Sequence, residues 1–248
     1  MSLSVIIPVY NEKKTIQIIL DKVLRFKELE KEIIIVDDCS TDGTSDIVEL
    51  LSKKHPEIKY IKNEKNLGKG AAIRKGLQII SKDIVLIQDA DLEYDPKDYS
   101  KLLEPILSKN AEVVYGSRFL GGGPVRVHLF WNYLANKILT LVTNILVNMN
   151  FTDMETGYKL FKKSVIQSIN IKEKSFGVEP EITNQYLNSF TIKQKINRDA
   201  KHAKQLKISS TPMIVVDGKY IVEVRRGRSY QEMLNIVDHI VNLQKPNS

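Results

Sequence analysis

Four short strand-like stretches, at residues 3–7, 33–36, 58–61 and 84–87, alternate with stretches of helical spacing over the first ninety residues. The unbroken aliphatic run Ile84–Ile87 is too short for a buried helix and suits a strand covered on both faces of a parallel sheet. Between the first two, Ile16, Ile19, Leu20, Val23 and Leu24 recur at three- and four-residue spacing, which predicts a helix. After the second, Cys39-Ser40-Thr41-Asp42-Gly43-Thr44 is a cluster of capping and turn residues opening a helix through Leu51. A third helix is expected from Ala71 to Ile80. Strand and helix in alternation, joined by short loops, predict an α/β fold with helices on both faces of a mostly parallel sheet.

The run Ile84–Ile87 ends abruptly in Gln88, Asp89 and Asp91, with Glu93 and Asp95 just beyond. Open α/β sheets bind ligands in the crevice outside the carboxyl ends of their strands. Two carboxylates one residue apart can share a hard divalent cation whose other ligands are diphosphate oxygens and water. Such a cation takes up the charge that develops on a leaving nucleoside diphosphate. An acidic, solvated strand-to-helix loop has the same composition, so this pair decides nothing alone. Other strand ends add to it. Pro8 ends the first strand by withholding an amide hydrogen from the ladder. Tyr10 offers an aromatic face for a base, and Glu12 or Asp38 can accept from base or ribose. Gly68 and Gly70 are expected to let the backbone approach a ligand, with Lys69 as a phosphate partner. No Gly-x-Gly-x-x-Gly follows the first strand, and Gly68-Lys69-Gly70 has neither the spacing nor the Ser/Thr of a P-loop.

Charge separates the end of the chain from the rest. Residues 1–187 carry 26 Lys and Arg against 25 Asp and Glu, whereas residues 188–248 carry 11 against 5. The whole chain of 248 residues is 42% hydrophobic, enough for one large domain or two small ones. Its single cysteine, Cys39, excludes an internal disulfide or a cysteine-only zinc site. The first residues lack a charged segment of the secretory kind, so a cytoplasmic location is expected. The basic excess has no interleaved aromatics, which argues against nucleic acid as a partner.

Taken in order, Ser4-Val5-Ile6-Ile7-Pro8-Val9-Tyr10-Asn11-Glu12, Ile35-Val36-Asp37-Asp38-Cys39-Ser40-Thr41-Asp42-Gly43-Thr44, Asn66-Leu67-Gly68-Lys69-Gly70 and Asp89-Ala90-Asp91 resemble the motifs of family 2 glycosyltransferases. Within that family the chain looks most like the dolichyl- or polyprenyl-phosphate sugar synthases. The resemblance implies a GT-A, Rossmann-like fold, a nucleotide-sugar donor of the GDP-mannose or UDP-glucose kind, Mg²⁺ or Mn²⁺, and a polyprenyl or dolichyl phosphate acceptor. It implies donor contacts from Pro8, Tyr10, Glu12, Val36, Asp38, Lys69, Asp89 and Ala90, and metal contacts from Asp89, Asp91 and Glu93. Many relatives carry Gln where this chain has Glu93. Gly116-Ser117-Arg118-Phe119 and Gly121-Gly122-Gly123-Pro124 look like the family's Gly-Ser-Arg segment and acceptor loop, with Arg118 and Arg126 on the acceptor phosphate. Asp153 and the strand after Gly157 look like the acceptor side, and Glu179-Pro180-Glu181 like the family's helix start. Asp91, Arg118 and Asp153 are then the catalytic candidates, with a functional role for Glu179 and a structural one for Glu181. A nucleotide-sugar binder without turnover is the alternative.

Residues 129–147 are apolar with one charge, Lys137. On a helical wheel Asn132, Asn136, Lys137, Thr140, Thr143, Asn144 and Asn148 fill one half, and Trp131, Leu134, Ala135, Ile138, Leu139, Leu141, Val142, Ile145 and Leu146 the other. That division fits a helix lying in a membrane interface better than one spanning it, and predicts peripheral contact with the cytoplasmic face. A core helix packed on the sheet is the competing expectation.

After Leu187 the family likeness stops. Residues 188–248 are similar to the last third of Dsb-type thiol–disulfide oxidoreductases, which implies a thioredoxin-like fragment: helix, Thr211-Pro212, strand, an Asp217-Gly218 hairpin, strand and a helix from Tyr230 to Leu243. No Cys-x-x-Cys accompanies it, so redox catalysis is excluded. Two domains are expected, 1–187 and 188–248.

Overall fold

The computed structural model describes residues 1–109, 111–119, 130–147, 150–175, 177–187, 213–216, 220–223, 235–237 and 239. Strand β1 (Leu3–Val9) is buried along its whole length, and its side chains divide by period two. Leu3, Val5, Ile7 and Val9 enter one apolar layer, while Ile6 enters the other. The same division in β2 (Lys31–Asp37) sends Ile33 and Ile35 to the first layer and Ile34 and Val36 to the second. An unbroken apolar run is therefore needed because both faces are covered.

Helices α1 (Ile16–Arg25), α2 (Thr44–Lys54) and α4 (Tyr99–Lys109) contribute to the first layer. Helices α3 (Lys69–Leu77), α6 (Lys163–Ile166) and α7 (Val178–Leu187) contribute to the second. Strands β3 (Ile58–Lys62), β4 (Ile84–Ile87), β5 (Val113–Tyr115) and β6 (Lys159–Lys162) complete a sheet in the order β3-β2-β1-β4-β6-β5. The first four are parallel, and β6 runs antiparallel to both β4 and β5. The sheet is mixed, with one strand reversed.

The chain leaves β1 towards β2 and β3, then crosses to β4 on the other side. That reversal puts a crevice outside the carboxyl ends of β1 and β4. The opposite rim is tied by Glu32, which is buried and accepts bonds from Ser4, Lys59 and Ser81. Burial alone would raise its carboxyl, but the Lys59 ammonium and the Ser4 and Ser81 donors outweigh it and bring it to about 2.

The chain divides into two units, Met1–Leu187 and Asn188–Ser248. In the second, β7 (Met213–Val216) and β8 (Tyr220–Glu223) form an antiparallel hairpin, and residues 235–237 and 239 are helical. The expected helix before Thr211, Thr211-Pro212 and the Asp217-Gly218 turn lie outside the described residues. A two-stranded hairpin occurs in many folds and carries no likeness to thioredoxin by itself.

Candidate active site

Each parallel strand delivers a loop to the same rim, and hydrogen bonds tie the loops together. After β1, Asn11 takes a left-handed conformation with φ 55°. Its amide donates to Ser40 Oγ at 3.0 Å, and its side-chain oxygen accepts from Thr41 N at 2.8 Å. The amide of Glu12 donates to Thr44 Oγ1 at 2.9 Å, so the first loop is fastened to the start of α2. After β2, Asp38 is buried and accepts from Asn63 Nδ2 at 2.7 Å, Leu67 N at 2.9 Å and Gly68 N at 2.6 Å. Its first duty is to hold the loop that launches α3.

Gly68 and Gly70 also allow a close backbone crossing. A Cβ on either would lie 2.3 Å from a backbone oxygen, that of Lys174 for Gly68 and of Glu173 for Gly70. The glycines let residues 173–174 cross the start of α3. Lys69 then points into the crevice, where Nζ lies 2.8 Å from Asp89 Oδ1 and 2.8 Å from Glu179 Oε1. Burial would lower this lysine, but Asp89 and Glu179 raise it, so it stays charged.

Strand β4 is followed by Gln88, fully buried, whose side-chain oxygen accepts from Tyr99 OH at 2.8 Å. Asp89 is packed so closely that a Cβ on Gly157 would lie 2.1 Å from its Oδ2. Asp91 is exposed at the crevice, with Oδ1 accepting from Glu93 N at 3.0 Å. Its carboxyl is pushed up, first by loss of water on the crevice side and then by repulsion from Asp89, Glu93 and Glu12. Surplus negative charge of this kind attracts a hard cation. Among the described residues no group of three or more His, Cys, Asp or Glu side chains gathers to hold one. The set that fits is the pair Asp89 and Asp91, with remaining positions left to diphosphate oxygens and water. Glu93, expected as a third metal contact, has Oε2 3.6 Å from Arg118 Nη1.

The crevice encloses about 460 Å³, within the range of small-ligand sites. Pro8, Tyr10, Glu12, Asp38, Lys69, Asp89, Ala90 and Asp91 all line it. Val9, Asn66, Gly68, Ala72 and Ser175 line it as well. Ser175 was not foreseeable, since only the crossing of residues 173–175 over α3 brings it there. Val36, expected as a donor contact, has its side chain fully buried in the apolar layer shared with Ala72 and Ile73 and is not among the residues lining the crevice.

Arg118 and Asp153 reach the same rim from the far side of the sheet, because Arg118 follows β5 and Asp153 precedes the reversed β6. Arg118 grips Asp153 with two parallel bonds, Nε to Oδ2 at 2.8 Å and Nη2 to Oδ1 at 2.9 Å. The Asp153 side chain is 0% exposed, and Asn136 Nδ2 donates to it at 2.9 Å. Burial would raise this carboxyl, but the Arg118 fork and the Asn136 amide hold it below its usual value. Asp153, expected as a catalytic candidate, thus has its carboxylate buried against the Arg118 guanidinium. Arg126 lies outside the described residues. Lys159, beneath the site on β6, was missed. It is buried, donates to the Thr156 carbonyl and sits 5.2 Å from the Tyr115 ring centroid, with burial bringing it to about 8.

Helix α5 (Phe130–Val147) turns its polar stripe inward. Asn136 and Thr140 are buried, with Thr140 Oγ1 donating to Asn136 Oδ1 at 2.9 Å, and Asn144 bonds both ways with the Phe151 backbone. Trp131 (74%), Ile145 (70%) and Leu141 (59%) are the most exposed of its described large apolar side chains, with Ile138, Val142 and Tyr133 also exposed. These exposed apolar side chains are not packed on the sheet as the competing core-helix expectation would have them. Among the described residues no helix is long and apolar enough to cross a membrane.

A family model described as "Glycosyl transferase family 2" matches residues 4–169. The dolichol-phosphate mannosyltransferase of Pyrococcus furiosus is 31% identical over 185 residues, 73% of this chain and 52% of that protein. The undecaprenyl-phosphate mannosyltransferase of Micrococcus luteus is 28% identical over 190 residues, 74% of this chain and 76% of that protein. The chain thus spans about half the length of the Pyrococcus relative. Among solved structures, glucosyl-3-phosphoglycerate synthase from Mycobacterium tuberculosis with Mn²⁺, UDP and phosphoglyceric acid superposes with TM-score 0.59 at 23% identity, covering 75% of this chain and 64% of that one. A mannosyltransferase from Pyrobaculum calidifontis with GDP-mannose and Mn²⁺ gives 0.53 at 19% identity, covering 75% and 51%. These likenesses show a GT-A-like fold.

Proposed function

The chain belongs to glycosyl transferase family 2, and from that premise we propose that it moves a hexose from a nucleotide sugar, of the GDP-mannose or UDP-glucose kind, to a polyprenyl or dolichyl phosphate. The observation that carries this reading is one crevice, at the strand reversal, lined together by Tyr10, Glu12, Asp38, Lys69, Asp89 and Asp91. Tyr10 is exposed and offers a ring to the base, while Glu12 and Asp38 supply acceptors for base and ribose. Asp89 and Asp91 would hold Mg²⁺ or Mn²⁺, as suits the solved relatives named with Mn²⁺ and a nucleotide. When bound, the cation would offset the charge of the leaving diphosphate.

Arg118, fixed by Asp153, would turn its Nη1 edge to the acceptor phosphate, with Glu93 Oε2 3.6 Å from that edge. A phosphate oxygen is already anionic near neutral pH, so attack on the anomeric carbon needs orientation more than a general base. A single displacement inverts the anomeric centre. The exposed apolar half of α5 supports a peripheral seat at the membrane interface, where such a lipid acceptor resides. Nothing among the described residues favours a binder without turnover.

A panel of UDP- and GDP-sugars with short polyprenyl phosphates and Mg²⁺ or Mn²⁺ tests the reading. Label passing from one nucleotide sugar into the lipid phosphate is expected. Hydrolysis of the donor alone, or transfer only to water-soluble acceptors, would overturn it.

A further inference from the structure

A positive charge already occupies the floor of the crevice. Lys69 Nζ bridges Asp89 Oδ1 and Glu179 Oε1, 2.8 Å from each, and its side chain is 18% exposed. Three separate parts of the chain meet there: the start of α3, the loop after β4 and the first turn of α7. Gly68 and Gly70 press the start of α3 against residues 173–174, which fixes the backbone from which the Lys69 side chain reaches. Asp89 is equally confined, with Oδ2 packed on Gly157 and Oδ1 on the ammonium. A divalent cation shared by Asp89 and Asp91 needs an oxygen that Lys69 covers, and it must also sit near a like charge.

We propose that Lys69 is a place-holder for the cation: it caps Asp89 while the crevice holds no donor, and yields Asp89 when cation and diphosphate arrive together, keeping Glu179 as its anchor. This rests on the reading of the crevice as a cation-assisted donor site. Its consequence follows from Coulomb's law. Free cation meets the ammonium's repulsion and binds weakly. Cation carried by a nucleoside diphosphate brings the negative charge that satisfies both positive groups. The site therefore takes donor and metal as a unit.

Mn²⁺ binding to the full chain, read from the free-ion electron paramagnetic resonance signal with and without saturating UDP or GDP, tests this without any transfer assay. Lys69→Met is expected to bind free Mn²⁺ about tenfold more tightly, and Mn²⁺ with nucleotide about tenfold more weakly, the size of one short ion-pair interaction at a protein surface. Glu179→Gln leaves Lys69 with Asp89 alone and should weaken free Mn²⁺. The double variant Lys69→Met/Glu179→Gln keeps the net charge, serves if either single variant fails to fold, and should also bind free Mn²⁺ more tightly than the parent. Unchanged or weaker free-Mn²⁺ binding in the Lys69 variants would overturn the place-holder while leaving the donor site standing. A parent protein that binds no Mn²⁺ even with either nucleotide would overturn both.

Discussion

At the scale of single residues, two positions show how closely chemistry and packing are bound together. Gly157 has no side chain because Asp89 fills the space. Gly157→Ala should push Asp89 out of place, costing about 1–3 kcal/mol in stability and weakening nucleotide-dependent Mn²⁺ binding; an unchanged melting point and affinity would show that Asp89 can move freely. Glu32 is a test of the opposite rim. Its carboxyl stands at about 2 in the folded chain, below the roughly 4.3 of an unfolded one. A depressed carboxylate stabilises the fold above the unfolded value and loses that contribution as pH falls through the folded one. Glu32→Gln should therefore cost on the order of 3 kcal/mol at pH 7 and almost nothing by pH 2, as read from urea midpoints; parallel curves would contradict it. Val36 teaches a different lesson. Likeness of motif put it among donor contacts, yet period two along β2 sends its side chain to the α3 layer.

At the scale of elements, β2 and β4 were legible from unbroken aliphatic runs that burial on both faces demands, and β1 and β3 from the alternation of strand and helix around them. The reversal of β6 was not, since Lys159-Leu160-Phe161-Lys162 reads the same in either direction and only pairing with β4 and β5 fixes its sense. Helix α5 was half legible. The wheel divides polar from apolar, but says nothing of which half meets the protein. Asp153, Phe151 and Met154 decide that, by offering partners to Asn136, Asn144 and Thr140. The outward apolar half should bind lipid. Ile138→Ser/Leu141→Ser/Ile145→Ser is expected to lower partition onto anionic vesicles about tenfold or more, with little change in melting point because these side chains are exposed. Equal sedimentation of variant and parent with vesicles would rule out this face.

At the scale of the whole molecule, the first unit brings most of the expected donor residues to one crevice, because parallel strands end on one rim and the order reverses between β1 and β4. Contacts from distant segments escaped the sequence: residues 173–175 over α3, and Glu179 on Lys69. Such crossings depend on how α7 returns to the sheet, which no local pattern encodes. The second unit was read by likeness, and its described hairpin is too common to identify a parent fold. The central claim is that carboxylates at the reversal grip a cation that frees a nucleotide from its sugar. Its most direct test is transfer of labelled hexose into polyprenyl phosphate by the parent and by Asp91→Ala at matched folded concentration. Transfer that requires a divalent ion and falls by at least about a hundredfold in the variant is the predicted result; transfer at the parent's rate by Asp91→Ala would contradict it.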